Sequence, residues 1–387
     1  MADPTAPAAH VARRVGELEP FLAMEVMERA FALERAGRRI AHLEIGEPDF
    51  DPPAQALAAT RAALDAGETR YTDSRGLDDL RHAIARDCQR RHGVAVAPER
   101  VIVTSGTSPA MLLVFSLLLD PGDEVILGAP HYPCYPNFIR FCGAQPVSVR
   151  TEPADGYRLD PDAVARAVTP RTRAIVVGSP ANPTGAVQPP EVLEGLAALG
   201  LPLVSDEIYH GLVYDPVEVR SALALPGDHF VLDGFSKRYA MTGFRLGWAV
   251  VPEWALRPLQ IMQQNLFISA NHFVQRAGVA ALEHGEETRS RMVATYRRRR
   301  ERLVAGLREL GFGLPHTPEG AFYVLADARR FTDDSLAFAF HLLENAGVGA
   351  TPGRDFGPGG EGKLRFCYAV ADDTIELALE RLAGVLR

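Results

Sequence analysis

The sequence predicts an α/β protein: a large domain on a seven-stranded, mostly parallel sheet, with a smaller α+β domain assembled from both ends of the chain. Three observations carry this expectation. The middle of the chain alternates short, near-continuously apolar runs with helical stretches, the pattern of strands covered on both faces. Long stretches of helical spacing return at both ends, at Glu19 to Gly37 and Glu286 to Leu310. The 387 residues, 47% hydrophobic and 23% charged, are ordinary globular usage with room for more than one domain, which excludes disordered and fibrous architectures.

The elements follow in order. Met1 to His10 is Ala- and Pro-rich with Asp3 inside it. It reads as a frayed arm that lacks the basic start and apolar run of a secretory signal, so a cytoplasmic location is expected. After the helix at Glu19 to Gly37, seven strands are expected at Val101 to Thr104, Glu124 to Leu127, Pro146 to Val149, Arg173 to Gly178, Leu201 to Ser205, Phe230 to Gly234 and Leu246 to Val251. Pro189 and Pro190 open a helical run that ends at Gly200, and Leu201 starts the next strand. Such a strand, helix, strand unit joins parallel neighbours. Glu286 to Leu310 is a long helix, followed by short strands near Ala321 to Leu325 and Lys363 to Tyr368. The Arg297 to Arg300 run shares that helix with Glu286, Glu287, Glu301 and Glu309 and is expected to be a solvated face. The expected organisation is residues 1–48 as arm and part of the small domain, 49–285 as the large domain, and 286–387 as the rest of the small domain.

Charge and composition narrow the function. With 41 basic and 49 acidic residues, net −8, the chain has no positive field to gather nucleic acid or anionic lipid. The longest apolar stretch, Met111 to Leu119, is interrupted by Ser116 and is about half the ~20 residues of a spanning helix. The four cysteines form no CxxC pair, so reduced thiols and no metal site are expected. Of the 41 cations only Lys237 and Lys363 are lysine. Arginine cannot replace an amine that must lose its proton, so each lysine is a candidate for chemistry.

Ligands of parallel α/β sheets collect at the carboxyl ends of the strands, so chemistry is expected in the loops after each run. Ser105-Gly106-Thr107-Ser108-Pro109 opens a helix with free amides and hydroxyls, suited to a phosphate and equally to a plain helix start. Ser179-Pro180-Ala181-Asn182-Pro183-Thr184-Gly185 is a rigid turn presenting an amide side chain. Asp206, following Leu201 to Ser205, should be partly buried, where it needs a cationic partner or caps a helix. Lys237 follows Phe230 to Gly234, with Arg245 eight residues on. A lysine at a buried strand end, with an arginine to lower its pKa, is suited to form a Schiff base.

Seven motifs in this order give the sequence its resemblance: Gly46-Glu47-Pro48-Asp49-Phe50, Tyr71-Thr72, Ser105-Gly106-Thr107, Asn182-Pro183-Thr184-Gly185, Asp206-Glu207-Ile208-Tyr209, Ser236-Lys237 with Arg245, and Leu364-Arg365-Phe366. The chain resembles the class I/II aminotransferases, enzymes of fold-type I that depend on pyridoxal 5'-phosphate. The resemblance covers nearly everything after the first ~20 residues. It implies that 49–285 binds the cofactor, that Lys237 holds it as a Schiff base and serves as general base at Cα, and that Asp206 pairs with the pyridinium nitrogen. It further implies that Tyr209 and Asn182 bond the ring's phenolic oxygen and that Tyr132 stacks on the ring, although Tyr132 also reads as a core aromatic. The phosphate would lie on the loop Ser105, Gly106, Thr107 with Ser236 and Arg245, joined by Tyr71 of a neighbouring subunit in a homodimer. Arg365, with Asn182 and the Gly46 backbone, would grip the substrate carboxylate.

The implied reaction moves an amino group between an L-amino acid and a 2-oxo acid such as 2-oxoglutarate. Some bacterial aspartate transaminases of similar type carry a lysine after the phosphate loop for the distal carboxylate; Ser108 stands in that neighbourhood here. Lys363, two residues before Arg365, is expected on the opposite strand face or at the strand's edge. A neutral, apolar or aromatic donor is therefore expected. The rivals are an aspartate-type transaminase, a C–S β-lyase on the same scaffold, and a non-catalytic regulatory domain. The last is disfavoured because only ~40 residues precede Gly46, too few for a helix-turn-helix domain and linker.

Overall fold

The computed structural model describes residues 11–214 and 216–386; the arm expected at Met1 to His10 lies outside them. Twelve strands occur among the described residues: β1 (Ala41–His42), β2 (Val101–Thr104), β3 (Glu124–Ala129), β4 (Gln145–Arg150), β5 (Thr172–Gly178), β6 (Leu203–Asp206), β7 (Phe230–Gly234), β8 (Gly247–Val250), β9 (Tyr323–Asp327), β10 (Val348–Gly349), β11 (Thr351–Pro352) and β12 (Lys363–Cys367). The seven expected strands are β2 to β8, and they form one sheet in the order β2-β8-β7-β6-β5-β3-β4. The pairs from β4 to β7 are parallel, while β8 runs antiparallel to both β7 and β2.

The apolar runs are continuous because both faces are covered. Val101 and Val103 pack with Leu80, Ile84 and Phe235 on one face. Ile102, between them, packs with Leu113 and Phe115 on the other. Five of the seven strands differ from expectation by one or two residues at an end, and the shift of β6 bears on the site. β6 starts at Leu203, not Leu201, because Pro202 has no N–H to give the ladder. At its other end β6 runs one residue further than expected, pairing with Gly178, so Asp206 is the last residue of the strand rather than the first after it.

A second core gathers the remaining strands. β9, β12 and β11 form an antiparallel sheet, and β1 pairs with β10 in parallel, so segments from both ends of the chain meet. Their apolar side chains pack on Tyr296, Leu303 and Leu307 of the helix Glu286–Glu309, and on Ile208, Tyr209 and Leu212, which follow β6. The segment after Asp206 thus joins the two layers.

The Arg297 to Arg300 run is not the solvated face expected. Arg297 and Arg298 are exposed, but Arg299 is buried between Asp49 (2.8 Å) and Asp372 (2.7 Å). Arg300 is also buried, donating to the Pro318 carbonyl at 2.7 Å with its guanidinium over the Tyr214 ring. Four consecutive residues sweep most of a helix circumference, so some must face the core whatever their charge. No helix among the described residues is long and apolar enough to cross a membrane.

Candidate active site

The carboxyl ends of the central strands and the inner edge of the second layer enclose a cavity of about 400 Å³. Thr107, Tyr132, Asn182, Asp206, Tyr209, Ser236, Lys237 and Arg245 line it from the large sheet, and Gly46 and Arg365 from the second layer. The structure therefore brings together ten of the expected site residues. Ser105 and Gly106 stand directly behind Thr107 without lining the cavity. Tyr71 is 83% exposed and stands apart from the cavity of its own chain.

Lys237 lies on the four-residue helix Phe235–Arg238 that closes β7. Its Nζ reaches into the cavity and donates to the Gly46 carbonyl at 2.7 Å. Desolvation pushes its pKa down to about 8, with smaller contributions from Arg365 and Arg245. Burial, rather than the arginine the sequence pointed to, is the larger cause. Lys363, the other lysine, does not line the cavity; its ammonium lies 5.4 Å from the Tyr157 ring centroid. Of the two places expected for it, the opposite face fails, because residues i and i+2 of a strand share a face, and Lys363 stands instead at the strand's edge, as the first residue of β12. Distance along β12, not a flip, separates it from Arg365.

Asp206 is buried, accepting from the Tyr135 hydroxyl at 2.8 Å and the Ile208 N–H at 3.3 Å. Neither expected role is met: no ion pair to it occurs among the described residues, its hydrogen-bond donors being the neutral Tyr135 and Ile208, and it caps no helix. Desolvation raises its pKa to about 6 against those two donors. A buried carboxylate with neutral partners only, open to a cavity, is a site for a cationic group brought by a ligand.

At the other end of the cavity, the twelve-residue helix Thr107–Leu118 presents its N-terminus, with Thr107 and Ser108 beside Ser236 and Arg245. Two glycines allow this approach. Gly106 has φ +98°, and a Cβ there would lie 2.7 Å from an Arg245 guanidinium nitrogen; one on Gly247 would lie 2.9 Å from the Gly106 carbonyl carbon. Arg245 itself is held at φ +54°, the left-handed region, unusual for a residue with a side chain. Free amides, hydroxyls and a guanidinium at a helix N-terminus make a ready anion site.

Arg365, in the middle of β12, is almost fully buried. It donates to Asn182 Oδ1 (3.0 Å), the Glu44 carbonyl (2.6 Å) and Thr351 Oγ1 (3.0 Å), with the Tyr323 ring centroid 4.4 Å from its guanidinium. Tyr323 also shares a 2.9 Å hydroxyl contact with Tyr209. A Cβ on Gly46 would come within 2.1 Å of the Tyr323 hydroxyl, so only glycine lets the Gly46 backbone approach so closely. Tyr132 packs edge-on against Tyr135 and Phe21.

Sequence reasoning missed Tyr135, Tyr323 and the apolar wall of Phe21, Met24, Met27 and Met111. Tyr135 lies in the first turn of the helix Cys134–Phe141, close to Tyr132, but its contact with Asp206 of β6 carries no signal in the sequence. Tyr323 and the wall residues sit in segments with no signal beyond ordinary core spacing.

Residues 38–382 match the sequence profile of the family described as Aminotransferase class I and II. The aspartate/prephenate aminotransferase of Thermus thermophilus is 40% identical over 97% of this chain and 98% of its own. The valine–pyruvate aminotransferase of Mycobacterium tuberculosis is 38% identical over 97% of this chain and 98% of its own. Among solved structures, that of the aspartate aminotransferase from Thermus thermophilus with maleate superposes with a TM-score of 0.93 at 40% identity, covering 98% of this chain and 100% of that one.

Proposed function

This chain belongs to the class I and II aminotransferase family, and from that premise we propose that its cavity binds pyridoxal 5'-phosphate and accepts a neutral, apolar or aromatic L-amino acid as donor. The residues fit the cofactor. Asp206, a buried carboxylate without a cation, suits a protonated ring nitrogen. The helix N-terminus at Thr107 with Ser236 and Arg245 suits a phosphate, with Gly106 amide and Ser105 hydroxyl in the same loop. When bound, the cofactor supplies a conjugated ring that accepts the electrons left at Cα when its proton departs.

The chain's own residues then divide the work. Lys237 would attach the cofactor and, once released, take the proton from Cα; a pKa near 8 leaves a useful fraction of free amine near neutrality. Asp206 would hold a proton on the ring nitrogen. Tyr209 would donate to the ring's phenolic oxygen, and Asn182, whose Oδ1 is engaged by Arg365, keeps its amide N–H free to do the same. Tyr132 would pack against the ring. Arg365, oriented by Glu44 and Thr351, would bind the substrate carboxylate with the Gly46 backbone and so orient Cα. The proposal includes a homodimer in which Tyr71 of the neighbouring subunit completes the phosphate site, a division near Asp49 and Gly285, and a cytoplasmic location.

The observation that carries the donor class is the supply of cations. Among the described residues, Lys237, Arg245 and Arg365 are the cationic side chains lining the cavity, each already assigned, and the wall beside them is Phe21, Met24, Met27 and Met111. A second carboxylate would be desolvated there without a partner, at an expense of several kcal/mol. Aspartate in the names of the Thermus thermophilus enzyme and its solved structure favours the second reading, an aspartate-type transaminase. Steady-state kcat/KM with 2-oxoglutarate as acceptor separates the two: phenylalanine, methionine or alanine should surpass aspartate. Aspartate in first place would refute the neutral donor and point to an arginine from the neighbouring subunit. Cystathionine without an oxo acid should release no pyruvate; steady release would favour the β-lyase.

A further inference from the structure

Outside the cavity, three metal-ligand side chains converge. His92 ends the helix Asp78–His92, and Glu207 and His210 lie on the segment that follows β6; one ligand atom from each lies within 4.8 Å of the other two. Glu207 and His210 are buried and His92 is half-buried. None of the three lines the cavity described above.

What their polar atoms are doing separates this cluster from an ordinary buried ion pair. Glu207 Oε1 is fully engaged by Ser205 Oγ (3.0 Å), Ser221 Oγ (3.0 Å) and the Ala222 N–H (2.9 Å). Its Oε2 stands 3.1 Å from His210 Nδ1, yet too obliquely for a hydrogen bond, so that ring nitrogen is buried with no hydrogen-bond partner. A carboxylate placed only to neutralise a histidine would accept along the N–H axis. Here the carboxylate is fixed through one oxygen and presents the other, and the two imidazoles flank it with ring centroids 5.5 Å apart. Three donors orienting the far oxygen of a ligating carboxylate is what the outer shell of a metal site does.

We propose that His92, Glu207 and His210 bind one divalent transition-metal ion, Zn²⁺ by the chemistry of the donors. Two imidazole nitrogens and a carboxylate oxygen suit zinc, whereas calcium and magnesium take oxygen shells. Water fills the fourth position on the half-buried His92 side. The ion ties the C-terminus of the helix Asp78–His92 to the residue beside Asp206, and so braces the end of β6. Its role is structural, because no ligand atom faces the cavity. The sequence hides the site, since only Glu207 and His210 are near neighbours in the chain.

The test uses holoenzyme stripped with a chelator, dialysed against zinc chloride and analysed for bound metal. One Zn²⁺ per chain is expected, with a higher melting temperature than the stripped protein. His92→Gln and His210→Gln should each weaken zinc binding by more than the ~10–100-fold that loss of an outer-shell partner brings, and Ser221→Ala by about that amount. Circular dichroism and cofactor absorbance check that each variant folds; His92→Gln alters a half-buried position. Cobalt substituted into the wild-type protein gives a second reading that needs no variant, namely visible bands of a four-coordinate nitrogen and oxygen site. Less than one zinc per chain, unchanged affinity in both folded histidine variants, or cobalt bands of a six-coordinate aqueous ion would overturn the proposal.

Discussion

Two side chains in this site have pKa values displaced by burial from those they would have in water. Lys237 is pushed down to about 8, so its neutral fraction, the form able to attack an aldehyde, grows as pH rises through that value and levels off above it. The rate at which apoenzyme recaptures pyridoxal phosphate, followed by absorbance, should therefore climb between pH 7 and about 8.5 and then flatten; a flat rate across pH 6 to 9 would contradict this. Asp206 is the opposite case, a carboxylate raised by burial and awaiting a cation. Asp206→Asn should keep the fold and some cofactor but lose about 100-fold or more in turnover; near wild-type turnover would remove the assigned role. Tyr135 acts through Asp206, donating to it at 2.8 Å. Tyr135→Phe removes one hydrogen bond to a charged group, so turnover should fall by about 10-fold with the donor KM little changed; an unaltered turnover would make Tyr135 merely structural.

Between elements, the site depends on how closely backbones approach. Gly46 brings the segment after β1 against Tyr323 at the start of β9, and an added Cβ would land 2.1 Å from the tyrosine hydroxyl. Gly46→Ala should destabilise the protein by about 1–3 kcal/mol, as overpacking does, and raise the donor KM through Arg365; a variant with unchanged melting temperature and KM would show that this contact can yield. Glycine 46 was legible in the sequence as part of a motif, but not the reason for it, since Tyr323 comes from the far end of the chain. The same distinction runs through the fold. The inner strands of the large sheet were legible because strands covered on both faces are near-continuously apolar, and the half-exposed edge strand β4 by its alternating valines. The start of β6 was misread because Pro202 is apolar but cannot join a ladder. The buried Arg299 and Arg300 were misread because charge says nothing of which way a helix is turned, and their partners Asp49, Asp372 and Pro318 are distant in sequence. Lys237, Asp206, Asn182 and Arg365 were legible because each stands in a short motif at a strand end or within a strand. The Tyr135, Tyr323 and His92 contacts were not, because they arise only once separate elements pack.

For the molecule as a whole, Tyr71 is a large aromatic side chain left 83% exposed, which fits a residue that serves another subunit. Mixing an inactive Tyr71→Ala protein with an inactive Lys237→Ala protein should restore part of the activity through hybrid dimers carrying one intact site; a fully active monomer in sedimentation at assay concentration would exclude the shared site. One lysine must be the point of attachment for all the other roles to hold, and the chain has only two. Both are partly or fully withdrawn from solvent and both are shifted down by desolvation, so neither environment alone singles one out. Their positions do: Lys237 opens into the cavity, whereas Lys363 faces Tyr157 outside it. Borohydride reduction of the holoenzyme followed by peptide mapping reads the answer directly. The cofactor should be fixed to the peptide carrying Lys237, and Lys237→Ala should carry none; label on Lys363 in the wild-type protein would contradict the account.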